Sequence, residues 1–238
     1  MRPPAPDESN PGLERTRHEL RADDVPKNAP NPLRSGIHSR GYLPHVKREG
    51  ASYFVTFRLA DSLPNEVLLG FEREIAEGLR RLQAAKACGE QVSDSEVELA
   101  RELRRKIERY LDQGAGACHL RRADIAELVA GAMQFFHEQR YLLDDWVVMP
   151  NHVHAVVWPM PNFVLGDILK TWKQFTSRRA KKILGLGEEP FWQPEFYDHW
   201  IRSDDDKSRI RAYVRNNPVK AGLCKTPENW RWCSASRA

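Results

Sequence analysis

The chain is 238 residues long, 41% hydrophobic and 29% charged, which suits a soluble globular protein built as one domain with an insertion or as two small domains. Its four cysteines, Cys88, Cys118, Cys224 and Cys233, show no C-x-x-C spacing, which argues against a zinc knuckle or a disulfide framework and fits a reducing cytoplasm; no run of about 18 apolar residues offers a membrane span, and the first forty residues lack the apolar centre of a signal peptide. The net charge of +4 is mild but uneven: Lys170, Lys173, Arg178, Arg179, Lys181 and Lys182 lie together with no acid among them, and the tail from 207 to 238 sets eight basic residues against Glu228 alone, so a polyanion is the partner to expect, weighed against an ordinary solvated helix face.

Residues 1 to about 45 are proline-rich, polar and aperiodic, and are expected to form a disordered arm. "SYFVTFRL" (52 to 59) alternates aromatic and β-branched residues and reads as a first strand. Pro64 then opens a helix carrying Leu68, Phe71, Ile75, Leu79 and Leu82, and a second helix with Leu99, Leu103, Ile107 and Leu111 follows "CGEQVSDS". The two read as a helical hairpin inserted at about 64 to 112. A third helix, about 121 to 138, leads into two strands, "WVVM" and "HVHAVVWP", joined by a Pro150-Asn151 turn. A basic helix from about 165 to 184 ends at Gly185, and the aromatic "FWQPEFYDHWIR" (191 to 202) reads as a further strand. The last helix starts at "SDDD", where Ser203 can cap and Asp206 can complete the box, and is expected to stop near Asn217 because Pro218 cannot continue the backbone ladder. This order predicts an α+β fold, an antiparallel sheet with helices on one face in the ferredoxin-like manner.

The chemistry concentrates at "MPNHVHAVV". Side chains alternate along a strand, so His152 and His154 share one face and can converge on one ion. Near the end of a sheet they are expected to be exposed and to carry little packing. In the last helix Tyr213 and Asn217 are four apart and share a face. An amide oxygen from a facing helix could fill an open position on a cation held by the two imidazoles, and the phenol would then stand beside it. A phenol with a pKa of about 10 needs a polarised electrophile such as a phosphodiester held by a divalent cation. Blander readings exist for each part. Two polar residues on a solvent-facing strand explain most H-x-H pairs, and Ile210, Tyr213, Val214 and Asn217 form a stripe that could simply be core. A metallo-β-lactamase site would want an aspartate where Val156 stands. Tyr197, beside Asp198 and His199, is the runner-up nucleophile. Trp172 and Phe175 could stack on bases, although packing is the simpler use for both.

Taken together, "WVVMPNHVHAVV", "LGDILKTWKQFTSRRAKKILG", "FWQPEFYDHWIR" and "AYVRNNPVKAGL" resemble the REP-associated tyrosine transposases, single-tyrosine members of the His-hydrophobic-His (HUH) endonuclease superfamily. The resemblance covers roughly 45 to 60 and 120 to 234, leaving the arm and the helical insertion outside it, and implies a transposase-like domain over 46 to 238. It implies that His152 and His154 are the metal-binding pair, Asn217 a further polar ligand and Tyr213 the nucleophile, with Mg²⁺ or Mn²⁺ as the ion. Single-stranded or hairpin DNA would be the partner, cut through a 5′-phosphotyrosine link, with Lys170, Lys173, Arg178, Arg179, Lys181 and Lys182 as DNA contacts. A homodimer in the bacterial cytoplasm, associated with the nucleoid and not with a membrane, fits the same resemblance. Cys233 departs from it, standing in "WRWCSAS" where the family usually has serine. A hairpin-binding regulator that no longer cuts is the alternative, and the intact set of His152, His154, Tyr213 and Asn217 favours the enzyme.

Overall fold

In a computed structural model, residues 50–88 and 105–237 are described, together with Glu102 and two short strands further upstream. Those strands, β1 (Gly36–Ser39) and β2 (Pro44–Lys47), pair antiparallel inside or beside the stretch read as an arm. The rest of that arm, and Leu99 and Leu103 of the second inserted helix, lie outside the described residues.

The main sheet has four strands. β3 (Tyr53–Arg58), β4 (Tyr141–Val148), β5 (His152–Pro159) and β6 (Tyr197–Trp200) stand in the spatial order β4-β5-β3-β6, and each neighbouring pair is antiparallel. Residues 53 to 57 and 152 to 157 are all buried, so the two central strands have no solvent-facing side and need cover on both faces. On one face Tyr53, Val55, Phe57, Val153, Ala155 and Val157 pack beneath α2 (Ala123–Gln134) and α3 (Leu165–Leu184). On the other, Phe54, Val147, Met149 and Val156 meet Ile210 and Val214 of α4 (Asp204–Lys220). The α+β class therefore holds, and the last helix takes the face opposite to the other two. That position sets the site, because the even-numbered residues of β5 point towards α4.

The first inserted helix, α1 (Asn65–Ala87), and a helical stretch at 105–112 make a small separate core of Leu63, Phe71 and Leu111, flanked by Val67 and Ile107. Two stretches are bounded differently from the sequence reading. The aromatic segment at 191 to 202 is a strand only over Tyr197–Trp200: Pro194 has no N–H to give a ladder, and upstream of it Trp192 makes an isolated bridge to Leu59. The last helix does not stop at Asn217. It runs through Pro218 to Lys220, with Ala221 N–H donating to the Asn217 carbonyl and Leu223 N–H to that of Pro218. Proline removes one donor, and the buried ring and the tertiary contacts of this helix offset that loss. Its start is as expected: Ser203 Oγ accepts from Asp206 N–H at 3.1 Å, while the Asp206 carboxylate takes Arg202 N–H and the His199 ring (3.0 Å). His199 is thereby a structural partner of the helix start.

The outer edge of β4 is covered by the tail: Val148 N–H donates to the Trp232 carbonyl and Trp146 N–H to Ser234 Oγ, with Cys233 bridged to Val147. Cys233 is fully buried in the second core, the one between the sheet and α4, where a thiol packs as a small hydrophobe. No helix among the described residues is long and apolar enough to cross a membrane.

Candidate active site

The tight turn at Pro150-Asn151, closed by Met149 N–H to the His152 carbonyl at 2.8 Å, starts β5 with His152. Alternation then puts His152, His154 and Val156 on the α4 face, as the sequence pattern requires. Their exposure is not as expected. His152 and His154 are 1% and 0% exposed, because Phe54 stacks on the His154 ring at 5.4 Å and α4 closes over the strand. Replacing both with alanine would therefore open a cavity in the second core, and is a poor probe of chemistry alone.

The hydrogen bonds fix one ring and leave a choice at the other. Asn151 Nδ2 donates to the Ala115 carbonyl at 3.0 Å, which orients its amide so that Oδ1 faces His152 Nδ1 at 2.8 Å. An amide oxygen only accepts, so His152 carries its proton on Nδ1 and turns the Nε2 lone pair inward. That Nε2 lies 3.1 Å from Nε2 of His154. Nδ1 of His154 is 2.7 Å from the hydroxyl of Thr56, its partner across the β3–β5 ladder. In one tautomer Thr56 donates to Nδ1 and His154 Nε2–H donates to His152. In the other, Nδ1–H donates to Thr56 and both Nε2 lone pairs face the same point. The second is a two-imidazole cradle for a cation, and the hydroxyl, able to donate or accept, serves either state. Burial, with a smaller push from the Lys220 ammonium, holds the His152 imidazole down to about 3, so the ring is neutral and free to ligate.

The helix brings Tyr213 to this point, with Asn217 one turn further along the same face. Tyr213 Oη is 3.4 Å from Nε2 of His154, and its half-buried ring lies edge-on to Phe54 (5.9 Å) and His154 (5.3 Å). Asn217, one turn on, is 1% exposed, and neither its amide oxygen nor its amide nitrogen has a hydrogen-bond partner among the described residues. A buried amide left without partners costs about 1–3 kcal/mol, a cost that a bound ion would offset. No group of three or more His, Cys, Asp or Glu side chains gathers among the described residues. A cation would rest on two imidazoles and neutral oxygens, a set that carries no charge of its own.

The opposite flank of α4 is anchored. A register shift between Leu143 and Trp146 bulges β4 and turns Asp144 and Asp145 towards the helix. The buried Asp145 accepts from Arg211 Nε and Arg215 Nε, both at 2.8 Å, and from Ser234 Oγ at 2.9 Å. Burial pushes its carboxyl up, but these three donors outweigh that and hold it below the ordinary carboxylate range. Arg211 and Arg215 stand two residues either side of Tyr213, and so on the far flank of the helix. The clamp grips α4 from behind while Tyr213 faces the histidines.

The basic helix is placed elsewhere. α3 packs on the other face of the sheet, so its cations cannot meet the same phosphate as Tyr213. Lys170, Arg178, Arg179 and Lys182 are exposed, and Lys181 is half-buried. Lys173 is turned inward, its amine donating to the carbonyls of Gln193 (2.6 Å) and Pro194 (2.7 Å); burial lowers it to about 8. It ties α3 to the loop before β6 and is not free to meet DNA. Trp172 is buried in the core and Phe175 is 38% exposed. Tyr197 lies edge-on to Phe54 at 6.4 Å. Thr56, Asp145 and Phe54 were not singled out from the sequence, and Asn151 only as a turn residue: the pairing of Thr56 with His154 depends on a strand register that no local pattern specifies.

The fold and this cluster define a class of protein, an antiparallel α+β domain that sets a paired-histidine strand against a tyrosine-bearing helix. Residues 122–217, which include His152, His154, Tyr213 and Asn217, match the family described as "Transposase IS200 like". The REP-associated tyrosine transposase of Escherichia coli (strain K12) is 31% identical over 100 residues, 42% of this chain and 58% of that relative. A relative from Haemophilus influenzae, whose name offers the same assignment provisionally, is 27% identical over 104 residues, 38% of this chain and 56% of its own length. Among solved structures, a REP-associated tyrosine transposase bound to a REP hairpin aligns over 84% of this chain and 82% of that one, with a TM-score of 0.45 and 17% identity. The matches bear out the resemblance drawn from the motifs, and the chain spans little more than half the length of the curated relatives it matches.

Proposed function

We propose that this chain is a single-strand DNA endonuclease and strand transferase of the single-tyrosine HUH kind, acting on DNA at hairpin-forming repeats. One observation carries the reading: the Tyr213 phenol stands 3.4 Å from His154 Nε2, on the same helix as a buried Asn217 amide with no partner. Tyr213 Oη attacks the phosphorus. The Oη–P bond forms as the bond to the 3′ oxygen breaks; the phenol's proton leaves to solvent and the freed 3′ oxygen takes one up. One phosphoester replaces another, so the strand can be rejoined without an energy source. His152 and His154 through Nε2, and Asn217 through Oδ1, would hold Mg²⁺ or Mn²⁺, which supplies polarisation of the phosphodiester and stabilises charge on the leaving oxygen. Exposed cations of α3 would grip a separate stretch of backbone, the repeat's stem or flank. The helical insertion at about 64 to 112 is an addition to this core, and the domain itself extends over 46 to 238.

The test uses a labelled oligonucleotide hairpin with unpaired flanks, copied from inverted repeats beside the gene. In Mn²⁺ the protein should give a shortened strand and a denaturation-resistant protein–DNA adduct, and excess chelator should remove both. Cleavage that survives chelation, or tight hairpin binding with no cleavage in Mg²⁺ or Mn²⁺, would sink the enzyme reading; the latter favours the non-cutting regulator.

Thr56 gives a second expectation. Thr56→Val keeps the shape and removes the group that orients His154. Mn²⁺ affinity measured by calorimetric titration should fall roughly 10- to 100-fold, the usual cost of losing an outer partner of a ligating histidine. An unchanged affinity would show that the Thr56 hydroxyl does not hold the His154 ring in place for the ion.

A further inference from the structure

We propose that Lys220, held in reserve by Asp112 of the inserted helical segment, contacts the scissile phosphodiester itself. This rests on the reading above and adds to it a positively charged residue beyond the motif quartet. The helix continues through Pro218, so Lys220 falls one turn beyond Asn217 and two turns beyond Tyr213, on the same flank. Its ammonium lies 5.8 Å from the centre of the Tyr213 ring. It donates to Asp112 Oδ2 at 2.6 Å, while Asp112 Oδ1 is buried without a hydrogen-bond partner among the described residues. The Lys220 side chain is 55% exposed and can be reached from outside; that of Asp112 is 17% exposed.

Stability does not account for this pair. A half-exposed ion pair contributes little to folding, and placing an ammonium beside a cation cradle works against the cation. The arrangement makes sense once an anion arrives. A phosphodiester beside Tyr213 would be attracted by Lys220 as well as by any ion the histidines hold, and the pentavalent transition state carries more negative charge than the ground state, so an ammonium poised there favours the reaction beyond mere binding. Asp112 neutralises the ammonium while the site waits for DNA and releases it when the phosphate competes. The helical insertion thereby reaches the active site through one carboxylate.

The measurements are single-turnover adduct formation on the hairpin oligonucleotide in Mn²⁺, hairpin binding against salt in chelator, and Mn²⁺ affinity without DNA. Lys220→Met should slow adduct formation roughly 100-fold, the loss typical of removing one preorganised contact to transition-state charge, and should lower the salt slope of binding by about one. Lys220→Arg should restore part of the rate. Asp112→Asn should move two quantities oppositely, weakening Mn²⁺ binding and tightening hairpin binding. A Lys220→Met rate equal to wild type overturns the proposal, and so does a rate loss fully matched by a loss of binding, which would make Lys220 an ordinary docking charge. Wild-type protein that forms no adduct removes the cleavage reading instead; the salt slope still decides the phosphate contact, since an unchanged slope in Lys220→Met refutes it without any cleavage.

Discussion

Tyr213→Phe is expected to abolish the protein–DNA adduct, a fall of more than about 10³-fold, while hairpin binding stays close to wild type. The substitution removes one oxygen from a half-buried ring whose edge-on contact with Phe54 is unaffected. What is lost to folding is a long contact to His154 Nε2 at 3.4 Å, worth no more than about 1 kcal/mol. What is lost to chemistry is the atom that becomes bonded to phosphorus. Tyr197→Phe is the matched control: Tyr197 also lies edge-on to the Phe54 ring, at 6.4 Å, and should keep most of the activity. The two are separated by denaturing electrophoresis of labelled DNA after reaction in Mn²⁺. An adduct that persists in Tyr213→Phe and vanishes in Tyr197→Phe would move the nucleophile to β6.

Much of this arrangement is legible in the sequence, for a physical reason. The strand period places His152 and His154 on one face, and the helix period places Tyr213 and Asn217 on another, so each pair is fixed by local geometry alone. The facing of the two pairs is not local. It follows from α4 crossing to the face away from α2 and α3, and its trace in the sequence is that Phe54 and Val156 put apolar side chains on the second face of β3 and β5 as well. Burial of the histidines was missed for the same reason: a strand end is exposed only if nothing closes over it. Lys220 was hidden by a rule applied too strictly, that proline ends a helix, whereas Pro218 sits within the last turn and costs one donor. Lys173 illustrates the converse error. A run of cations reads as one surface, but periodicity turns one member in five or six inward, and here three backbone carbonyls lie within reach of its amine.

Asp145→Ala should have the largest effect on folding of any single change at the site, although Asp145 touches neither histidine nor DNA. Its carboxylate is 2% exposed and takes Arg211, Arg215 and Ser234, so it joins β4, α4 and the tail at one point. Breaking a buried pair costs about 3–5 kcal/mol. Here the two arginine side chains are 40% and 46% exposed and can regain water, which discounts the figure to about 3 kcal/mol. For a domain of this size that is a fall in Tm of roughly 6–12 °C. Asp144→Ala is the comparison. Asp144 is more exposed and holds Lys207 and Arg211 at 3.4 and 3.3 Å, so its loss should cost under about 1 kcal/mol. The sign with pH follows from the depressed carboxyl: the clamp's contribution is complete above the ordinary Asp range and is lost as pH falls through the lowered value, so the gap in Tm between wild type and Asp145→Ala should narrow in acid. Adduct formation by Asp145→Ala should fall even at temperatures where it remains folded, because α4 then keeps its apolar contacts and the weaker Asp144 pairs but loses the clamp that fixes Tyr213 against His154. If Asp145→Ala melts with wild type and cleaves at the wild-type rate, the helix is positioned by its apolar stripe, and the bulge that turns Asp144 and Asp145 has no part in aiming the nucleophile.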